Sequence, residues 1–218
     1  MATAGTVVFG DMKLTGESKF LLGIIVATIV LIGGAIILFS RPAGPLQALA
    51  REELIPTGTY TKGNASASAY LVEFSDFQCP ACKDFQPVVD ELVTQHQDNL
   101  LFVYRHFPLD QHEFAVPAAI AAEAAGRQEK FWEMYALLFT NQEKFSAILW
   151  SELAKQVGLD LTQFEAATSD PSVAEKITAD RAYGLKIGVT STPTFYLNGI
   201  KLTLTSYDDL RRAVKNAL

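Results

Sequence analysis

The stretch "VEFSDFQCPACKDF", Val72 to Phe85, decides the fold, because it brings both cysteines of the chain to the end of an apolar run. Two residues separate Cys79 from Cys82. Pro80 suits the first turn of a helix, where its missing N–H is not needed. The stretch therefore predicts a strand that ends just before Cys79 and a helix that begins just after it.

Three interpretations of this cysteine pair compete with a redox function. A structural zinc site needs four ligands, and the pair supplies only two. A disulfide across two residues closes a short loop and stabilises the fold little. Two unreactive core cysteines are the third alternative. The position of Cys79 between a strand and a helix N-terminus favours a thiolate, since the helix dipole and free N–H groups stabilise the charge. A redox pair is therefore the favoured interpretation, and it requires no metal and no organic cofactor.

Glu73 is an acidic residue inside the apolar strand "YLVEF", six residues before Cys79. Strand alternation puts it on the same face as Leu71. Burial of an unpaired carboxyl group is costly and raises its pKa. Two interpretations follow: Glu73 faces water, or it accepts a proton from Cys82 when that thiol attacks.

The composition excludes some partners and predicts others. The 24 acidic residues outnumber the 18 basic ones among 218, so no basic excess is available to bind nucleic acid. Phe20 to Phe39 contains no charge and no proline, and its length matches a bilayer core. It predicts an uncleaved transmembrane anchor, with a cleaved signal peptide as the rival interpretation. The basic residues on its two sides almost balance, so they do not predict its orientation: Lys13, Lys19, Arg41 and Arg51.

The rest of the chain divides into a linker and one domain. Residues 40–62 are rich in Pro, Gly, Ser and Thr and predict a linker, and residues 63–218 are patterned as a globular domain. The predicted order is strand, helix, strand, a helical block, a hairpin at Asn198-Gly199 and a helix that begins after Ser206.

"EFSDFQCPACK" and "TSTPTFYLNG" together resemble the thioredoxin-fold oxidoreductases, specifically their DsbA-like branch. The resemblance covers about residues 63–218 and implies an α/β thioredoxin fold with a helical insertion at about 110–188. It implies that Cys79 attacks, that Cys82 resolves, and that Glu73 is a buried acid. It further implies a group of residues around the substrate: Pro193 as a cis-proline, Thr192 through its backbone, and Phe77, Pro80 and Ala81. Phe107 and Pro108 are also candidates for the cleft wall, with core packing as the alternative for them and for Phe77.

The implied function is a membrane-anchored thiol–disulfide oxidoreductase that forms or rearranges disulfides in exported proteins. Its partners are cysteine-containing substrates, a redox protein that recycles the pair, and the membrane through residues 20–39. Residues 1–19 then lie in the cytoplasm and the domain outside it. The alternatives are a thioredoxin-like reductase, or a non-catalytic binding module that uses the same cleft.

One departure from the DsbA-like pattern bears on the redox potential. The dipeptide between the cysteines is Pro80-Ala81, without the histidine that stabilises the thiolate in the strong oxidant of the family. We therefore expect the pKa of Cys79 to exceed ~3.5 and the reduction potential to lie between ~−120 and ~−270 mV.

Overall fold

The computed structural model describes residues 16–39 and 48–218, which belong to two separate compact units. The first unit contributes one helix, α1 (Gly16–Phe39). Among the described residues, no helix is both long enough and apolar enough to cross a bilayer. The anchor predicted over residues 20–39 is therefore not confirmed, although the segment is helical. The predictions for residues 1–15 and 40–47 lie outside the described residues.

The second unit is a five-stranded sheet covered by helices. Its strands are β1 (Thr61–Gly63), β2 (Ala69–Ser75), β3 (Leu100–His106), β4 (Thr194–Leu197) and β5 (Ile200–Lys201). Its helices are α2 (Arg51–Leu54), α3 (Pro80–Gln95), α4 (Ala115–Gly126), α5 (Phe131–Thr140), α6 (Leu149–Val157), α7 (Leu161–Thr168), α8 (Pro171–Lys186) and α9 (Tyr207–Ala217), with a 3₁₀ turn over Gln142–Lys144.

The sheet has the order β1-β3-β2-β4-β5, with β2 and β3 parallel and the other pairs antiparallel. The parallel pair follows from the crossover through α3, because parallel neighbours need a long connection. All seven residues of β2 are buried, as expected for a central strand covered on both faces. Glu73 lies in the middle of this strand, opposite Tyr104 on one side and Phe195 on the other.

The two faces of β2 belong to two different hydrophobic clusters, as the predicted alternation requires. Leu71 packs in the larger cluster, with residues of α3, α5 and α9. Val72 and Phe74 pack in the second cluster, which includes Leu54 of α2. The side chain of Glu73 therefore points toward the layer that contains α3 and the cysteines.

The helical insertion predicted at about 110–188 is confirmed by α4 to α8, which lie between β3 and β4. Several helices end in residues suited to capping. Asp170 caps α8 by accepting from the Ser172 N–H, and Ser206 caps α9 in a reciprocal capping box with Asp209. Gly158 ends α6 in the left-handed conformation.

The folded domain begins before the boundary predicted at residue 63. Leu54 is fully buried, and the Leu49 N–H donates to the Gly199 carbonyl at 3.0 Å. Arg51 donates to the Ala67 and Ala65 carbonyls at 2.9 and 3.0 Å. In its described part, the segment predicted as a linker is therefore packed onto the domain through Leu54, the Leu49 backbone and the Arg51 side chain.

Because this segment is docked against Gly199, we expect alanine to destabilise the fold more at Gly199 than at Gly158. Gly199 and Gly158 have almost the same positive φ, 84° and 83°. A Cβ on Gly199 would lie 2.4 Å from the Leu49 carbonyl oxygen, whereas a Cβ on Gly158 would meet nothing within 4 Å. We expect Gly158→Ala to destabilise the fold by about 1 kcal/mol through backbone strain, and Gly199→Ala by about 2 kcal/mol through strain and overlap. Chemical denaturation of the two variants measures the difference, and equal losses would argue against the docked segment.

Candidate active site

Cys79 and Cys82 lie where β2 meets α3. Cys79 is the N-cap residue of α3, with Pro80 at the first helical position, as predicted. Pro80 and Ala81 are exposed, whereas Cys79 is 6% exposed and Cys82 is fully buried. Both cysteines are free thiols in this structure. The pair therefore presents one sulfur near the surface and keeps the other inside.

Cys79 has the environment of a stabilised thiolate. The pKa of Cys79 is lowered from 9.0 to about 5, first by the hydrogen bond from the Cys82 thiol. Burial acts in the opposite direction but is outweighed by the groups that favour the thiolate, among which are the backbone N–H donors of Ala81 and Cys82. These donors are the free N–H groups of a helix N-terminus, which favour negative charge. Cys79 is therefore ionised at neutral pH.

The Cys82 thiol, by contrast, is kept in its neutral form. Its pKa is raised well above the ordinary value, mainly by burial, and further by its hydrogen bond to Cys79 and by the charge of Glu73. Since the thiolate is the nucleophilic form, the two sulfurs differ strongly in reactivity at the same pH.

Glu73 is 1% exposed, so the interpretation that it faces water is wrong. Burial raises its pKa from 4.5 to about 8. Its Oε2 atom has no hydrogen-bond partner within the described part of the chain. A carboxyl group with this pKa is mostly protonated at neutral pH and can both give and take a proton there.

Further polar groups accompany Glu73 in this layer. The Ser75, Tyr104 and Tyr135 hydroxyls are buried and, within residues 16–39 and 48–218, have no hydrogen-bond partner. Burial raises the pKa of Tyr104 and of Tyr135 well above the ordinary value. Both tyrosines therefore stay neutral, and the layer beneath the cysteines has polar groups but little charge.

Thr192 and Pro193 lie beside the cysteine pair. Cys79 Sγ lies 3.5 Å from the Thr192 carbonyl oxygen, to which it donates a hydrogen bond when it is protonated. The Thr192–Pro193 peptide bond is cis. Pro193 is half-buried and lines a groove of about 340 Å³ together with Phe85, Phe195 and Leu204. The groove has both apolar and polar lining, and Pro193 connects it to Thr192, which contacts Cys79.

Phe77 does not line this groove, which corrects the prediction that it contacts a substrate. It is 1% exposed, and its ring packs on Tyr104, Tyr135 and Phe139 with centroids 5.0 to 5.9 Å apart. An apolar side chain of this size gains more from core burial than from contact with a ligand. Phe107 and Pro108 are buried too, so the core-packing alternative holds for all three.

The loop before Cys79 is held by residues that the sequence did not single out. The Asp76 carboxylate is fully buried and accepts from the Gln78 N–H at 2.7 Å and the Leu109 N–H at 2.9 Å, and its Oδ2 atom lies 2.7 Å from His112 Nδ1. The Gln142 side chain donates to backbone carbonyls of this loop. Asp76 has a sequence signal, because an aspartate that accepts from the N–H two residues on is a known turn pattern. Gln142 has none.

No group of three or more His, Cys, Asp or Glu side chains in the described residues is arranged to hold a metal ion. His106 and His112 are engaged elsewhere: His106 Nε2 lies 2.9 Å from Glu123 Oε1, and His112 pairs with Asp76.

The lowered pKa of Cys79 predicts its alkylation profile. We expect the rate of reaction with iodoacetamide to have its midpoint near pH 5 and to be level above about pH 6, because the thiolate is the reactive form. Mass spectrometry of samples quenched at each pH measures the rate. A Cys79→Ser variant is the control and should react very slowly throughout, since Cys82 is buried with a raised pKa. A midpoint near the ordinary thiol value of 9.0 in the unaltered chain would contradict the account.

Comparison with known proteins extends these observations. The sequence profile described as thioredoxin matches residues 56–216. Two curated relatives are Na(+)/H(+) antiporters. NhaA 1 of Mycolicibacterium vanbaalenii is 36% identical over 152 residues, which is 67% of this chain and 24% of the relative. NhaA 1 of Salinispora arenicola is 39% identical over 145 residues, which is 66% of this chain and 22% of the relative. The chain thus spans about a quarter of the length of these relatives.

Solved structures with the same fold include a thioredoxin-like oxidoreductase from Silicibacter pomeroyi. It is 28% identical, with a TM-score of 0.64, over 78% of this chain and 98% of that one. The thiol-disulfide exchange protein alpha-DsbA2 from Wolbachia pipientis has a TM-score of 0.69 at 20% identity, over 77% of this chain and 91% of that one. At that identity, the second likeness concerns the fold alone.

Proposed function

This chain belongs to the thioredoxin family, and from that membership we propose that it is a thiol–disulfide oxidoreductase that uses Cys79 and Cys82 to oxidise or rearrange cysteine pairs in other proteins. The observation that carries the proposal is the contrast between the two thiols. The pKa of Cys79 is lowered to about 5, whereas that of Cys82 is raised. A purely structural pair of core cysteines has no need of this asymmetry.

Oxidation of a substrate begins with the pair in its disulfide form. A substrate thiolate attacks Cys79 Sγ, so a substrate–Cys79 disulfide forms and the Cys79–Cys82 bond breaks. The electron pair of that bond leaves on Cys82, which takes up a proton because its thiol has a raised pKa. Glu73 is the proton donor in this layer, since its pKa of about 8 keeps it mostly protonated at neutral pH.

A second substrate thiolate then attacks the substrate sulfur of the mixed disulfide. The substrate disulfide forms, and Cys79 departs as a thiolate that the N-terminus of α3 stabilises. Two electrons have passed from the substrate to the cysteine pair. Reduction of a substrate follows the same path backward, with Glu73 taking the proton of Cys82 as that thiol attacks. A partner protein with its own disulfide accepts the two electrons and resets the pair.

Net oxidation is the direction that the thiol chemistry favours. A stabilised Cys79 thiolate makes the reduced form of the pair more stable and the disulfide form a better oxidant. A pKa of about 5 lies between the ~3.5 of DsbA and the ~7 of thioredoxin. The proposed potential therefore stays between ~−120 and ~−270 mV.

The proposed location is the extracytoplasmic side of a membrane, with exported proteins as substrates and residues 20–39 as the anchor. The support for this part is the sequence alone: an uncharged apolar run of membrane-spanning length, and no cysteine outside the reactive pair that could mispair in an oxidising compartment. Treatment of intact cells with a membrane-impermeant thiol reagent tests it. The cells are first treated with a membrane-impermeant reductant, because the resting pair is in its disulfide form. Labelling of Cys79 in intact cells is then the expected result, and labelling only after lysis would overturn the proposed location.

The activity itself is tested with the full-length chain in its disulfide form and a peptide that carries two cysteines. We expect one peptide disulfide to form for each chain that is reduced, measured by mass spectrometry after acid quenching. Addition of oxidised glutathione should allow repeated turnover. A disulfide-form chain that leaves the peptide dithiol unchanged would refute the proposed function.

A further inference from the structure

Gln142 connects the helical insertion to the cysteine loop. It lies in the 3₁₀ turn Gln142–Lys144, between α5 and α6, and is 7% exposed. Its Nε2 atom donates to the Phe77 carbonyl at 2.8 Å and to the Cys79 carbonyl at 3.0 Å. A residue more than sixty positions further along the chain therefore makes two direct hydrogen bonds to the backbone that leads into α3.

The chemistry of these partners fixes the orientation of the amide. Both partners are carbonyl oxygens, which only accept hydrogen bonds, so the NH₂ group of Gln142 and not its oxygen must face them. The two N–H bonds of one planar group then hold the Phe77 and Cys79 carbonyls at a fixed separation. An apolar side chain of equal size would leave both carbonyls without this partner.

The Cys79 carbonyl is adjacent to the atom that carries the reactive side chain. It also accepts from the Lys83 N–H at 3.2 Å, which is the first hydrogen bond of α3. Cys79 itself has an extended backbone, with φ −75° and ψ 121°. Holding this carbonyl fixes ψ of Cys79, and ψ decides whether the sulfur faces the N–H groups of Ala81 and Cys82.

The same turn contacts α3 at a second point. Glu143 Oε1 lies 3.1 Å from Lys83 Nζ, one helical turn beyond Cys79. This ion pair is exposed and contributes little by itself. It does, however, bring the turn Gln142–Lys144 into contact with α3 at a second point, separate from the buried amide contact.

We infer that Gln142 is a positioning residue for the reactive sulfur: its amide holds the cysteine loop so that the first N–H groups of α3 face Cys79 Sγ. The inference rests on the proposed function, because it assigns Gln142 a part in the thiol chemistry of that site. It assigns the helical insertion a direct effect on how strongly the cysteine pair oxidises.

The insertion also supplies a matched control. Gln128 makes two hydrogen bonds with the backbone of Asp160. Its Nε2 atom donates to the Asp160 carbonyl at 3.0 Å, and its Oε1 atom accepts from the Asp160 N–H at 2.9 Å. It joins two parts of the insertion, and neither partner belongs to the cysteine loop. Gln128→Met and Gln142→Met thus remove the same side-chain amide and the same number of hydrogen bonds, at different places.

The experiment measures two quantities on the full-length chain and both variants: the pKa of Cys79, from thiolate absorbance at 240 nm, and the equilibrium with glutathione at pH 7. For Gln142→Met we expect the pKa to rise by about one unit, which corresponds to the net contribution of one ordinary hydrogen bond. We expect the equilibrium to move about tenfold toward the disulfide form, because the reduced form loses thiolate stabilisation. For Gln128→Met we expect neither to change, even if the melting temperature falls.

An unchanged Cys79 pKa in folded Gln142→Met would overturn the inference, as would an equal rise in Gln128→Met. If Gln142→Met does not fold, Gln142→Asn decides, since it keeps the amide on a shorter side chain that cannot reach both carbonyls. A rise in the Cys79 pKa of Gln142→Asn, smaller than the unit expected for Gln142→Met, supports the inference, and no rise counts against it. The unaltered chain tests the proposed function separately. Failure of the unaltered chain to exchange with glutathione would refute that function, whereas the absorbance titration would still show whether Gln142 lowers the Cys79 pKa.

Discussion

Replacement of Cys82 by serine should turn the protein into a trap for its substrates. In the Cys82→Ser variant, the Cys79 thiolate can still attack a substrate disulfide and form a mixed disulfide, but the Cys82 thiol that would displace the substrate from Cys79 is gone. The serine hydroxyl at position 82 can donate a hydrogen bond to Cys79 in place of the lost thiol, and the helix N–H groups remain, so Cys79 stays an ionised nucleophile at neutral pH. The chain has two cysteines, so no other thiol replaces Cys82. We expect stable adducts with substrate proteins on non-reducing gels, and their disappearance on reduction.

Cys79→Ser and the double variant complete this test. Cys79→Ser should lower the exchange rate with a dithiol peptide by roughly three orders of magnitude, because the remaining thiol is buried and protonated. The double variant should form no adducts at all. A Cys82→Ser variant that forms no adducts, and binds partners as the unaltered chain does, would instead support a non-catalytic binding module.

Replacement of Glu73 by glutamine should stabilise the reduced protein at neutral pH and slow its chemistry. The pKa of Glu73 is raised from 4.5 to about 8, so the folded chain binds more protons than the unfolded chain between those pH values. Stability therefore falls as the pH rises through that range, and the loss amounts to about 3 kcal/mol at pH 7. Glutamine has the same shape and does not ionise, so Glu73→Gln avoids this loss.

The pH dependence distinguishes this effect from ordinary repacking. The two proteins should have equal stability below about pH 4.5, where Glu73 is protonated in both states, and the gap should widen up to about pH 8 and then level off. Denaturant titrations across this range measure it. The same variant should resolve mixed disulfides on the order of 10²-fold more slowly, since Cys82 loses its proton acceptor. A constant stability difference at all pH values would show that ionisation of Glu73 does not contribute.

Local sequence patterns predicted the elements that build the site. The apolar run "YLVEF", the proline after Cys79 and the Asn198-Gly199 turn each act over a few residues, so their signals are readable without tertiary information. The alternation along β2 predicted correctly that Glu73 shares a face with Leu71. What alternation cannot tell is whether that face meets water or a helix, and the structure answers this with α3.

The strand, ion pair and side-chain contact that sequence patterns do not predict depend on contacts between distant parts of the chain. β1 has the polar sequence "TKG" and exists because it pairs with β3. Arg105 and Asp180 form a buried ion pair with 2.6 Å between Nε and Oδ1, although each looks like a surface charge in the sequence. Gln142 reaches the cysteine loop only because the insertion folds back over it. Such residues have no local signal, since their function is set by packing.

The reduction potential of the Cys79–Cys82 pair decides in which direction the protein passes electrons. The full-length chain is equilibrated with mixtures of reduced and oxidised glutathione at pH 7, and the fraction of disulfide is measured after acid quenching and alkylation. We expect a potential above about −200 mV, in the upper part of the proposed range of ~−120 to ~−270 mV, because a pair that donates its disulfide to substrates needs such a potential. A potential near or below about −270 mV would refute the proposed oxidation, because such a pair passes electrons to its substrates and acts as a reductase.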